Sequence, residues 1–153
     1  MTHPSTVSPL TAHLGYWMRA VSNQVSHAFA LKLEAKDVTV AEWVLMRRLY
    51  DQPEMAPSDL AAAVGLTRGA VSKLVDRLEA KALLVRTASA EDRRYQSVGL
   101  TIKGRALVPE LAALADQNEE QFFGHMKPLE RVALTSLLRE IAHVGGLTKP
   151  PLK

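Results

Sequence analysis

Residues 67–95, TRGAVSKLVDRLEAKALLVRTASAEDRRY, hold seven Lys or Arg against four Asp or Glu, whereas the rest of the 153-residue chain carries twelve charges of each sign. The formal net charge of +3 is therefore concentrated in one short stretch. Cationic side chains gathered this way suit a phosphate-bearing partner, because each neutralised phosphate releases condensed counterions. A solvated basic surface has the same charge, so spacing has to separate the two readings. Val71, Leu74, Val75 and Leu78 mark the inward side of a helix, which leaves Arg68, Gly69, Ser72, Lys73, Asp76 and Arg77 for its other faces. Ser72, Lys73 and Arg77 offer hydrogen-bond donors, and Gly69 and Ala70 keep the backbone near an opposing surface. Further along, Glu91-Asp92-Arg93-Arg94 sits between two apolar runs. An arginine on such a tip can enter a narrow minor groove, and a neighbouring aspartate can hold its guanidinium by paired hydrogen bonds.

Other chemistries find no residues to carry them. Cysteine is absent, which excludes disulfides, a thiolate nucleophile, a Cys-type zinc site and thiol redox sensing. His3, His13, His27, His125 and His143 are scattered without metal-ligand spacing, and no nucleophile elbow, phosphate loop or dinucleotide fingerprint occurs. The expectation is a non-enzyme with no cofactor and no metal. No apolar run approaches the roughly 18 residues that a membrane helix needs. The opening MTHPSTVSPL lacks a signal-peptide pattern, so the expected location is the cytoplasm and no membrane partner is expected.

The elements that must position the basic segment are legible in outline. Ser8-Pro9 suits a helix start, and helical apolar spacing runs from Leu10 to about Leu33. One stripe of this helix carries His13, Tyr16, Trp17, Ala20, Gln24, His27 and Leu31, and another carries Leu14, Met18, Val21, Val25 and Ala28. Two such faces suit two neighbours, the chain's own domain and a partner subunit. Thr39 with Glu42 makes a capping box for a second helix, whose expected core face is Val40, Trp43, Val44, Met46 and Leu49, with a break at Asp51-Gln52-Pro53. A short Ala-rich helix over 57–64 ends at Gly65, Leu66 plugs the corner, and Thr67 caps the helix that runs to about Lys81.

Helix, Gly-Leu-Thr, helix is a helix-turn-helix pattern, although a plain helical hairpin would share its spacing. The period then changes. Leu83 to Ala88 and Tyr95 to Leu100 read as two strands around a charged loop, a hairpin wing. Thr101 caps a long helix to about Gly124 with a bend at Pro109, residues 125–128 form a turn, and Leu129 to Val144 form a last amphipathic helix closed by Gly145-Gly146. The expected fold is mainly α with a small β-hairpin wing: a winged helix-turn-helix domain over 39–101, a helical dimerisation region over 9–33 and 102–145, and a C-terminal tail over 146–153.

This order of elements resembles the MarR (multiple antibiotic resistance regulator) family over nearly the whole chain. The most specific matches are Asp92 and Arg94 in the wing, Leu100-Thr101 closing the second strand, and the block LTRGAVSKLVDRLEAKALLVR over 66–86. The resemblance implies a cytoplasmic homodimer that binds double-stranded DNA at a palindromic operator and usually represses transcription. It implies DNA contacts from Thr67, Arg68, Gly69, Ser72, Lys73 and Arg77 in the major groove. The wing residues Asp92, Arg93 and Arg94 would add to these, with Arg94 in the minor groove buttressed by Asp92. It also implies release by a small aromatic or phenolic effector, for which His13, Tyr16, Trp17, Trp43 and Arg47 are the ligand-binding candidates. The alternative is a winged-helix protein–protein module without DNA binding, against which the retained Arg68, Lys73, Arg77 and Arg94 argue.

Overall fold

Thr39 and Glu42 form the reciprocal cap their spacing implies. The Thr39 hydroxyl accepts from the Glu42 amide at 3.1 Å, and Glu42 Oε1 accepts from the Thr39 amide at 3.0 Å. In the computed structural model, which describes residues 7–88 and 96–146, this cap starts helix α2 (Val40–Asp51). α2 follows α1 (Leu14–Glu34) and precedes α3 (Pro57–Val64) and α4 (Arg68–Ala80). Strands β1 (Leu84–Ala88) and β2 (Gln96–Leu100) come next, then α5 (Ile102–Phe123) and α6 (Pro128–Val144). The two strands pair antiparallel, from Leu84 opposite Leu100 to Ala88 opposite Gln96.

The core gathers around α2, α3, α4 and the base of the hairpin. Leu45, Met46, Leu49, Leu60, Val71, Val75, Leu78, Leu84 and Val98 are buried, and Val108 and Leu111 of α5 join them from the other side. Met55 extends the hairpin by one bridge, exchanging backbone bonds with Val98 at 3.0 and 2.8 Å. Beside it, Gly99 is buried so tightly that a Cβ would strike the Pro53 carbonyl oxygen. Burial of a residue on the second face of β2 thus follows from chain 53–55 lying across it.

Three expectations need correction. The first helix does not run unbroken from Ser8-Pro9. Leu10–Ala12 is a single 3-10 turn without a side-chain cap, and His13 is extended before α1 begins at Leu14. The physical reason is local, because the Trp17 indole donates to the Thr11 carbonyl at 2.9 Å and draws that group out of a helical ladder. Second, the core face of α2 is Glu42, Leu45, Met46 and Leu49, whereas Val40, Trp43 and Val44 are half-buried. Glu42 goes inside because it finds a cation there. Third, Pro128 opens α6 as its first residue instead of closing the turn before it, a position where its missing N–H costs nothing. α5 passes through Pro109 without interruption.

Candidate nucleic-acid interface

Gly65 makes the turn between α3 and α4 in the left-handed region, φ 74° and ψ 27°, and its amide returns to the Ala61 carbonyl. Thr67 then caps α4, its hydroxyl accepting from the Ala70 amide at 3.1 Å. Val71, Leu74, Val75 and Leu78 lock one side of α4 into the core, which fixes the other side outward. Thr67, Arg68, Gly69, Ser72, Lys73 and Arg77 are all exposed. A Cβ on Gly69 would meet nothing within 4 Å, so nothing inside the chain calls for glycine there. The open space suits close approach of an external surface.

Two acids stand on the same helix, and the fold deals with both. Asp76 is paired with Arg86 of β1 at 2.7 Å, and Arg86 also approaches Glu79 at 3.6 Å. Both carboxylates therefore face a cation supplied by the wing, and the outward potential of α4 stays positive. Arg86 lines a cleft of about 490 Å³ with Arg68, Ser72 and Gln96, and the start of α3 at Pro57-Ser58 closes its far side. Arg86 and Gln96 were not among the residues singled out from sequence. The signal was present for Arg86: two acids three apart on a helix, followed within a few residues by a lone strand arginine.

The hairpin base is fixed by β1, β2 and the Met55 bridge, with Ser97 donating to Glu54 at 3.3 Å. Asp92, Arg93 and Arg94 lie outside the described residues.

The five ligand candidates fall into different places within one chain. His13 is the exposed residue before α1, and Tyr16 and Trp17 meet edge to face at 5.5 Å on the first turn of that helix. Trp17 borders an apolar cleft of about 640 Å³ between α1, the end of α5 and α6, with Met18, Val21, Phe122 and Leu138. Trp43 packs edge to face on Phe29 at 6.4 Å. With Arg47 it lines a separate groove of about 380 Å³ against Ala63 and Val64 of α3, where Arg47 is tied to Asp51 at 3.0 Å. Among the described residues, no three His, Asp or Glu side chains are grouped to hold a metal ion, and no helix is long and apolar enough to cross a membrane.

Comparison with known proteins gives a consistent picture. A family model described as MarR family matches residues 36–94. The structure of BpsR from Bordetella bronchiseptica, solved to explain regulation of its DNA binding by 6-hydroxynicotinic acid, is 30% identical. The match covers 89% of this chain and 97% of that one, with a TM-score of 0.80. MepR of S. aureus in complex with DNA is 26% identical over 86% of this chain and 98% of its own, with a TM-score of 0.78. CouR from Rhodococcus jostii bound to p-coumaroyl-CoA is 26% identical over 89% and 96%, also with a TM-score of 0.78.

Proposed function

The chain belongs to the MarR family of winged-helix transcriptional regulators, and from this premise we propose that it is a homodimeric repressor of a palindromic operator, released by a small aromatic ligand. The observation that carries the DNA-binding part is the outward face of α4. Arg68, Ser72, Lys73 and Arg77 present donors there, Gly69 leaves the helix start open, and the acid on that face is paired with Arg86. In this reading α4 lies in the major groove, and Arg94, held by Asp92, enters the minor groove beside it.

Dimerisation is supported by the apolar side chains that α1 and α6 leave in solvent. Leu14, Met18 and Val21 on α1, and Leu134, Leu137, Leu138 and Ile141 on α6, are exposed, and no residue of α6 is buried. Contiguous apolar surface of this kind marks an association site. Two copies joined there would set two α4 helices about one turn of DNA apart, hence a palindrome. The effector reading rests on the relatives: BpsR responds to 6-hydroxynicotinic acid and CouR binds p-coumaroyl-CoA. In this chain the aromatic and cationic groups available are His13, Tyr16, Trp17, Trp43 and Arg47.

The test is fluorescence anisotropy with the DNA upstream of the protein's own gene and a scrambled duplex, each at two salt concentrations. Sequence-dependent binding with a steep salt slope is expected, and Arg94→Ala should weaken it without loss of fold. Equal weak binding to both duplexes would remove the operator-binding reading. Aromatic acids added to the preformed complex then test release.

A further inference from the structure

The end of α4 opposite its DNA-facing start is held by an unusual set of contacts. Lys81, the residue that closes α4, extends back to the corner between α1 and α2. Its ammonium donates to the Asp37 carbonyl at 2.6 Å and to both oxygens of Glu42, at 3.2 and 3.0 Å. The Glu42 side chain is only 1% exposed and that of Lys81 27%. From the other side, the Lys103 ammonium donates to the Lys81 carbonyl, and Thr101 bonds the carbonyls of Ala82 and Leu83. The start of α5 adds Gly104, where a Cβ would strike the Leu83 carbonyl oxygen. Among the described residues, the two non-glycine positions with positive φ are Asp37, at 55°, and Ala82, at 59°, and Lys81 joins them. Left-handed backbone is tolerated by aspartate but strained at Ala82, where it persists only because surrounding contacts over-determine it.

We propose that Lys81 is a positioning residue for DNA recognition: by tying the end of α4 to the α1–α2 corner through Asp37 and Glu42, it sets the angle at which α4 meets the groove. The helices gripping this turn, α1 and α5, are also those that leave the DNA-binding lobe. A change in how they sit therefore reaches α4 through this turn. The proposal rests on the DNA-binding reading given above.

The variants are Glu42→Gln/Lys81→Met, which removes both charges while glutamine can still cap α2, and Lys81→Arg. Each is assayed as the full-length protein against the duplex that the wild type enriches from a randomised pool, and against a random duplex, across a salt series. The double variant is expected to lose about tenfold in affinity for the enriched duplex and to bind the random duplex as before with an unchanged salt slope, because no phosphate contact is removed. Lys81→Arg, which keeps the charge pair with Glu42, should keep most of the preference. Hydrogen exchange on the free protein should show the Ala82 and Leu83 amides, which bond the Glu79 and Leu78 carbonyls, opening faster in the double variant. A fall on both duplexes with a shallower slope would make Lys81 a phosphate contact instead and overturn the proposal. So would unchanged discrimination. A wild type that enriches no duplex would overturn the DNA-binding reading itself, which is a different outcome from a wild type that discriminates as well as its variant.

Discussion

The lobe built from α2, α3, α4 and the hairpin and the pair formed by α1 and α6 use similar residues to opposite ends. In the lobe, leucines and valines at helical spacing are fully enclosed, as with Leu45, Leu49 and Leu78 at 0% exposure. On α6 an equally apolar pattern leaves no residue fully buried, and Leu137 stays 56% exposed. α1 is similar, with Leu33 at its end its one buried residue among those described. Amphipathic spacing says that a face will be covered, but not by what. The lobe supplies its own cover, because α3 and α4 cross at Gly65 and fold back on α2. α1 is covered on one side, by α5 through Asn118 on the Val25 carbonyl and by α2 through Trp43 on Phe29, while its other apolar side and that of α6 stay uncovered among the described residues.

That contrast can be pressed hardest in the core. Leu45→Ala should cost about 2 to 5 kcal/mol in chemical denaturation, whereas Leu137→Ala should leave the chain's own packing almost untouched and act on self-association. Gly104→Ala comes next. Its new methyl group meets the Leu83 backbone, and overpacking of this kind costs about 1 to 3 kcal/mol, read as a lower midpoint in the same titration. Leu138→Glu, on the α1–α6 cleft, should shift sedimentation-velocity profiles toward monomer by at least about tenfold in dissociation constant, since it places a charge in the apolar surface through which the proposed dimer would close. A monomeric wild type would break the comparison outright. Ala82→Gly should raise stability by up to about 1 kcal/mol, because glycine adopts the left-handed backbone without penalty. Smallest is Gly15→Ala in α1, where the added Cβ meets nothing within 4 Å. A gain of at most a few tenths of a kcal/mol is expected, below the roughly 1 kcal/mol of a helix interior because the site lies in the first turn.

The features most readable in sequence were those set by local chemistry. The Thr39–Glu42 box, the Gly65 turn and the Thr67 cap each depend on groups within a few residues, so their spacing is enough. The outward face of α4 was readable for the same reason, as its inward face is a periodic run of Val and Leu. Where a side chain outside the motif intervenes, from six residues away or from 39, the reading fell short. Ser8-Pro9 looked like a helix start, yet the Trp17 indole takes the Thr11 carbonyl and α1 begins later. Glu42 reads in sequence as half of a capping box, outside the core face, yet Lys81, 39 residues away, makes its burial tolerable. Resemblance groups the ligand candidates on α1 and α2, but the chain seats Trp17 and Trp43 in different clefts.

By itself the sequence determined the order of the elements, the caps at Thr39, Thr67 and Thr101, the Gly65 turn, the helix-turn-helix with its basic outward face, and the absence of cysteine chemistry. These follow from backbone sterics, periodicity and composition, which act over one or two turns of chain. Only the tertiary structure decided that Asp76 is paired with Arg86, that Lys81 joins the end of α4 to the α1–α2 corner, and that no residue of α6 is fully buried among the described residues. Those outcomes depend on which distant groups share a desolvated space, and a charge takes a buried partner wherever the packing of the core brings one within reach.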